Sequence, residues 1–178
     1  MSYLSVRKFI NIIKRTCIIL LMTKPVKLLI SLGISFAAGA IGSLATTPNI
    51  PNWYQTLDKP AFNPPNWVFG PVWTLLYILM GIALYLVWTS PIKQKQTKLI
   101  QYAWFGVQLI LNALWSIVFF GWHFTGLGIV IIFALLASIL VTARLFWPIS
   151  HTAAYLLAPY VAWVSFASTL NIAIAALN

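Results

Sequence analysis

The 178-residue chain is 61% apolar and 7% charged, and its eleven Lys and Arg face a single acid, Asp58, for a formal charge of +10. An average soluble domain is about 25% charged, so this inventory cannot build a water-facing surface, and the chain reads as an all-α integral membrane protein, a five-transmembrane-helix bundle. One acid and two histidines (His123, His151) leave no carboxylate pair and next to no material for a Ser-His-Asp relay or a metal site, and Cys17 has no second thiol to pair with.

Residues 1–25 are expected to form a basic amphipathic extension. Phe9, Ile13, Thr16, Cys17 and Leu20 share one helical face and Arg7, Lys14 and Arg15 leave a cationic one, the pattern of a helix lying in the membrane interface. A frayed basic tail or an organellar transit segment shares that composition; a secretory signal fits poorly, because the apolar run 17–22 is short and Lys24 follows. Residues 26–178 form the membrane domain. Its first span covers about 26–45, with Ser35, Gly39 and Ser43 as a small-residue stripe that admits a close helix neighbour. The connection 46–66 holds Pro48, Pro51, Pro60, Pro64 and Pro65, which deny a regular helix and predict an ordered, extended loop. The second span is 67–88, with Pro71 tolerated in its first turns, and a basic turn leads to the third, 99–120. A tight turn at 121–125 opens the fourth, 126–147, which Pro148 stops. The fifth runs from 151 to 178 with Pro159 as a kink.

The cations are unevenly placed. Six open the chain, Lys93, Lys95 and Lys98 follow the second span and Arg144 closes the fourth, so ten of the eleven share a side and Lys59 alone lies opposite. By the positive-inside rule the N-terminus is cytoplasmic and the proline-rich loop faces outward. A bacterial membrane is favoured over the mitochondrial outer membrane. The positive charge then meets lipid headgroups of the bilayer, and no soluble basic domain exists to bind nucleic acid.

Nine tryptophans are the unusual feature. Trp67, Trp88, Trp122 and Trp147 fall near span ends, where indoles form an interfacial belt. Trp73, Trp115 and Trp163 fall within spans and need partners for their N–H groups. Gln108, Asn112, Trp115 and Phe119 share a face of the third span; Tyr160, Trp163, Ala167 and Asn171 share one on the fifth; Trp73 and Tyr77 pair on the second. Amides at membrane depth either join helices together or line a cavity. Three faces of indole, phenol and amide groups have the make-up of a small-molecule pocket. Both histidines are expected as interfacial residues rather than ligands.

The run Trp53-Tyr54, Leu57, Lys59-Pro60, Phe62, Pro64-Pro65, Trp67-Val68-Phe69-Gly70-Pro71-Val72-Trp73-Thr74, Tyr77 resembles the tryptophan-rich sensory protein family, which takes in the mitochondrial translocator protein (peripheral benzodiazepine receptor). Two later blocks agree: Gln108, Asn112, Trp115, Phe119-Phe120, and Pro159-Tyr160, Trp163, Phe166-Ala167, Leu170-Asn171. The resemblance covers 28–178. It implies a five-helix bundle, commonly a homodimer, whose pocket is capped by the first loop and binds porphyrins, with sterols or other hydrophobic small molecules bound by some members. Carried over, Trp53 and Tyr54 match the pocket lid and Trp73 a ligand-contacting indole. Gln108 and Asn112 match polar positions on the third helix, Trp163 the tryptophan implicated in porphyrin binding and breakdown, and Ala167 the small residue beside the ligand. The animal proteins' sterol motif uses a Tyr and an Arg where this chain has Ile172 and Ala176, which counts against sterol recognition by that route.

The ligand-binding set expected from residues and resemblance together is Trp53, Tyr54, Trp73, Tyr77, Gln108, Asn112, Trp115, Tyr160, Trp163, Ala167 and Asn171. The expected function is a porphyrin-binding membrane sensor or carrier, with protoporphyrin IX or a haem-related ring as ligand and no required cofactor; amides and Lys59 would meet its propionates. The alternatives are light- and oxygen-dependent porphyrin degradation, with Trp163 as the redox candidate, and a structural or regulatory membrane partner without turnover.

Overall fold

The computed structural model describes residues 23–91 and 95–178, with backbone only at 95–97. All but the last three residues of the expected 1–25 extension lie outside the described residues. Five segments among them are long and apolar enough to cross a membrane.

Helix α1, Lys24–Asn49, starts with Pro25 in its first turn, where a missing N–H costs no bond. It runs four residues past the expected end, through Pro48. In a last turn a proline forfeits only one backbone bond, and side chains take up neighbouring carbonyls: Thr46 Oγ1 donates to Gly42 O (3.1 Å), Asn49 Nδ2 to Ala45 O (2.8 Å) and Asn52 Nδ2 to Pro48 O (2.8 Å). The connection to α2, Asn66–Thr89, carries one turn of 3-10 helix at Tyr54–Thr56.

Helix α3, Lys95–Ser116, continues into a single π turn, Ile117–Gly121. That wider turn is closed by Trp122 N donating to Ile117 O at 2.9 Å. His123 then takes φ 61°, the left-handed conformation in which a non-glycine residue is strained, and so reverses the chain within a very short connection. Helix α4, Thr125–Phe146, ends with Arg144 in its last turn, where a cation complements the helix dipole. The fifth crossing is broken as expected: α5, His151–Tyr155, stops two residues short of α6, Ala158–Leu177, because Pro159 can neither donate nor tolerate the preceding helical turn. Ser150 Oγ caps α5 by accepting from Ala153 N at 3.2 Å.

Around the bundle, α1 packs on α2 and α3, α4 on α3 and α6, and α2 on α5. Between α2 and α6 the contact passes to rings, Trp73 against Tyr160 (6.2 Å) and Phe69 against Trp163 (5.9 Å). The stripe read as Ser35, Gly39 and Ser43 divides in three dimensions. Ser31, Ser35, Ala38 and Gly42 make the buried face of α1, Gly39 abuts the Tyr77 ring, and Ser43 is exposed. Three buried hydroxyls are satisfied inside their own helices: Ser35 Oγ donates to Ser31 O (3.2 Å), Thr142 Oγ1 to Ser138 O (2.7 Å) and Ser168 Oγ to Val164 O (2.8 Å); the Ser31 hydroxyl finds no partner among the described residues.

Candidate functional site

A cavity of about 460 Å³ lies between α1 and α2 beneath the connecting loop, with the end of α3 behind it. This is within the usual size range of small-molecule sites, ~300–1,000 Å³. Its back wall is aromatic. Trp73 stacks on Tyr77 (5.7 Å, 27°) and lies nearly parallel to Trp115 (6.3 Å, 30°), which stacks in turn on Phe119 (5.7 Å, 15°). Trp73, Tyr77 and Trp115 therefore place three nearly parallel rings in one wall of the cavity. Helical spacing produces this arrangement: Trp73 and Tyr77 are four apart on α2, Trp115 and Phe119 four apart on α3 and its π turn.

The wall is braced from behind. Tyr77 donates its hydroxyl to Asn112 Oδ1 at 2.7 Å, and Asn112 Nδ2 donates to Tyr160 Oη at 3.0 Å, so one amide ties α2, α3 and α6 together at membrane depth. The roof is the loop. Tyr54 is 3% exposed and packs against Phe120 (5.5 Å) and Phe69 (6.4 Å), while its hydroxyl donates to Asn63 Oδ1 at 2.7 Å. Burial pushes the Tyr54 phenol up to about 12, so it stays a neutral donor throughout the physiological range.

The remaining expected site residues lie elsewhere. Tyr54, Trp73, Tyr77 and Trp115 line the cavity; Trp53 does not. Its indole stacks on His123 (4.3 Å, 16°) and meets Phe119 edge-on (5.5 Å), closing the loop over the turn between α3 and α4. Asn112 and Tyr160 stand one layer behind the wall. Trp163 is separated from the cavity by Phe69, and Ala167 is buried in the core of α6. Gln108 and Asn171 are 0% and 2% exposed, do not line the cavity, and find no hydrogen-bond partner among the described residues. Lys59 sits 5.0 Å over the outer face of Tyr54 and donates to Leu57 O (2.9 Å) and Gln55 O (3.2 Å), which spends it on the roof rather than on the cavity.

The α1 side of the site was missed by sequence reasoning. Phe36, Ala40, Ser43 and Thr47 line the cavity together with Gly70 and Thr74 of α2. Their spacing of four, three and four was visible, but small and hydroxylated residues on a membrane helix read equally well as a packing stripe.

The comparisons with known proteins agree with this architecture. The TspO/MBR family matches residues 31–177. The chain is 44% identical to the tryptophan-rich protein TspO of Archaeoglobus fulgidus over 153 residues, 85% of this chain and 97% of that protein. It is 38% identical to the human translocator protein over 119 residues, 67% of this chain and 70% of the other. It is 33% identical to the tryptophan-rich sensory protein of Cereibacter sphaeroides over 151 residues, 83% and 92% of the two chains. With a five-span helical bundle, a roofed aromatic cavity and a family match over most of its length, this chain belongs to the TspO/MBR family.

Proposed function

We propose that the chain is a membrane sensor or carrier that binds a planar tetrapyrrole, a porphyrin such as protoporphyrin IX or a haem-related ring. The observation that carries this reading is the cavity wall of nearly parallel rings, Trp73, Tyr77 and Trp115, under an aromatic roof. A flat, apolar, polarisable macrocycle gains both area burial and stacking against such a surface. Among the described residues no charged side chain lines the cavity, so the acidic edge of the ring is left to hydroxyl and amide groups at the rim, such as Asn66 and Thr47. The names of the relatives speak of translocation and sensing, in keeping with binding as the central act.

The second reading is porphyrin breakdown in light and oxygen. One observation favours it: the Trp163 indole N–H has no partner among the described residues and its ring is 5.9 Å from Phe69, a lining residue. The deciding experiment is titration of the purified protein with protoporphyrin in the dark, followed by illumination with absorbance recorded over time. Saturable binding in the dark with equal photobleaching in the parent and Trp163→Phe supports a sensor or carrier. Photobleaching that requires Trp163 puts degradation ahead, and no saturable binding ends both readings.

We infer that the loop over the cavity faces outward and the N-terminus lies in the cytoplasm, because ten of the eleven cations fall in sequence segments that five alternating spans put opposite the loop. A cysteine at Asn52 is expected to react with an impermeant thiol reagent added to intact cells, and one at Gln94 to be protected. The opposite pattern reverses the orientation.

A further inference from the structure

Helices α1 and α2 touch and then part. Far from the loop, a Cβ on Gly81 would lie 2.8 Å from Leu32 Cα and 3.1 Å from its N, and a Cβ on Gly39 would overlap the Tyr77 ring, so the two helices are in intimate contact there. Nearer the loop, a Cβ on Gly70 would meet nothing within 4 Å. Above the Gly39–Tyr77 contact the helices have splayed. Ala40, Ser43 and Thr47 on α1, and Gly70 and Thr74 on α2, are all exposed although all five line the cavity. The cavity is thus continuous with the flank of the bundle, between two helices long and apolar enough to cross a membrane.

The end under the loop is built differently, with the roof tied down at three places. Tyr54, braced within the loop by its bond to Asn63, packs on Phe120 of the π turn (5.5 Å) and Phe69 of α2 (6.4 Å). Trp53 is stacked on His123, and His123 Nε2 lies 3.1 Å from Asn49 Oδ1, which joins the roof to α1 and to the turn before α4. On the far side Asn178 clasps the loop backbone. Its Oδ1 accepts from Asp58 N and its Nδ2 donates to Asp58 O, each at 3.0 Å, and the same Nδ2 lies 2.9 Å from Ile174 O. Raising the roof would break the two Asn178–Asp58 bonds and separate the Tyr54 and Trp53 ring contacts at once.

We propose that the ligand reaches the cavity sideways from the lipid, through the splay between α1 and α2, and that the loop is a fixed roof and not the door; the inference rests on the porphyrin reading above. The mouth is chemically suited to this. Ser43 Oγ donates to Ala40 O (2.8 Å) and Thr74 Oγ1 to Gly70 O (2.9 Å). Both hydrogens are therefore satisfied within their own helices, and an apolar plane slides past without breaking a bond. The class of ligand follows: amphiphiles that partition into the bilayer are admitted, and strictly water-soluble ones are not.

The test uses the full chain in lipid nanodiscs, with Cys17→Ser as background and cysteines replacing Asp58 and Asn178, joined by a short reducible bifunctional thiol reagent. Protoporphyrin is supplied in phospholipid vesicles and its uptake followed by fluorescence. Joined and reduced protein are expected to take up porphyrin at rates within about twofold of each other, while Thr74→Trp at the mouth slows uptake about tenfold and Thr169→Trp, on the exposed face of α6, does not. Uptake that appears only after the cross-link is reduced overturns the proposal, because the roof is then the door. So does an unchanged rate in Thr74→Trp. If the reduced, unplugged protein takes up no porphyrin, the porphyrin reading itself has failed.

Discussion

Trp73→Ala is expected to weaken protoporphyrin binding about 30- to 150-fold, the equivalent of about 2–3 kcal/mol. Trp73 is the central ring of the wall, in contact with Tyr77, Trp115 and Tyr160 at centroid distances of 5.7, 6.3 and 6.2 Å. Cutting it back to a methyl removes the middle of the stacking surface; a tryptophan buries ~150–250 Å², and losing roughly 100 Å² of that against the ligand costs about 2.5 kcal/mol. Trp67→Ala is the comparison that separates site from belt. Trp67 is 74% exposed and lines no part of the cavity, so its loss should leave affinity within about twofold. Trp73→Phe retains a smaller ring and should fall between the two. Fluorescence titration in the dark reads all three, and a Trp73→Ala protein that is folded and binds like the parent would remove the wall from the site.

Gly39→Leu is expected to destabilise the bundle by about 3 kcal/mol or more, at or beyond the usual range for overpacking a close-packed core. The added atoms would occupy the space of the Tyr77 ring. That ring cannot easily retreat: it lies between Phe36 (6.0 Å) and Trp73 (5.7 Å), and its hydroxyl is held by Asn112 Oδ1 at 2.7 Å. Displacing it strands the Asn112 oxygen where no water can replace the lost donor, a further cost of about 1–3 kcal/mol. Gly33→Leu, where a Cβ meets nothing within 4 Å, is expected to melt with the parent. Thermal unfolding in detergent measures both. Equal melting of Gly39→Leu and the parent would mean that α1 and α2 do not make this contact.

The class, the number of crossings and most of their limits were legible from hydropathy alone, because a water-free medium forces every backbone group into helix and about 20 apolar residues are needed for each crossing. Proline positions were nearly as informative. Pro159 breaks the fifth crossing where expected, whereas Pro48 does not end α1, since in a last turn it forfeits only one backbone bond, and the side chains of Thr46, Asn49 and Asn52 bond to neighbouring carbonyls. The inward faces of α2 and α3 were also readable, and Trp73, Tyr77 and Trp115 do line the cavity.

Periodicity determines which residues share a helix face; it does not determine which face meets which. That is why eleven expected ligand residues separate in space into a wall and roof (Trp73, Tyr77, Trp115, Tyr54), a brace behind it (Asn112, Tyr160), a latch on the roof (Trp53) and buried core positions (Gln108, Ala167, Asn171), with Trp163 beyond Phe69. It is also why one small-residue stripe on α1 could be divided among a buried face, a contact with Tyr77 and the rim of the cavity. Only the tertiary structure decided these assignments, because they follow from the angle at which α1 leaves α2 beyond Gly39, a quantity set by the sum of side-chain contacts along both helices and written in no single residue.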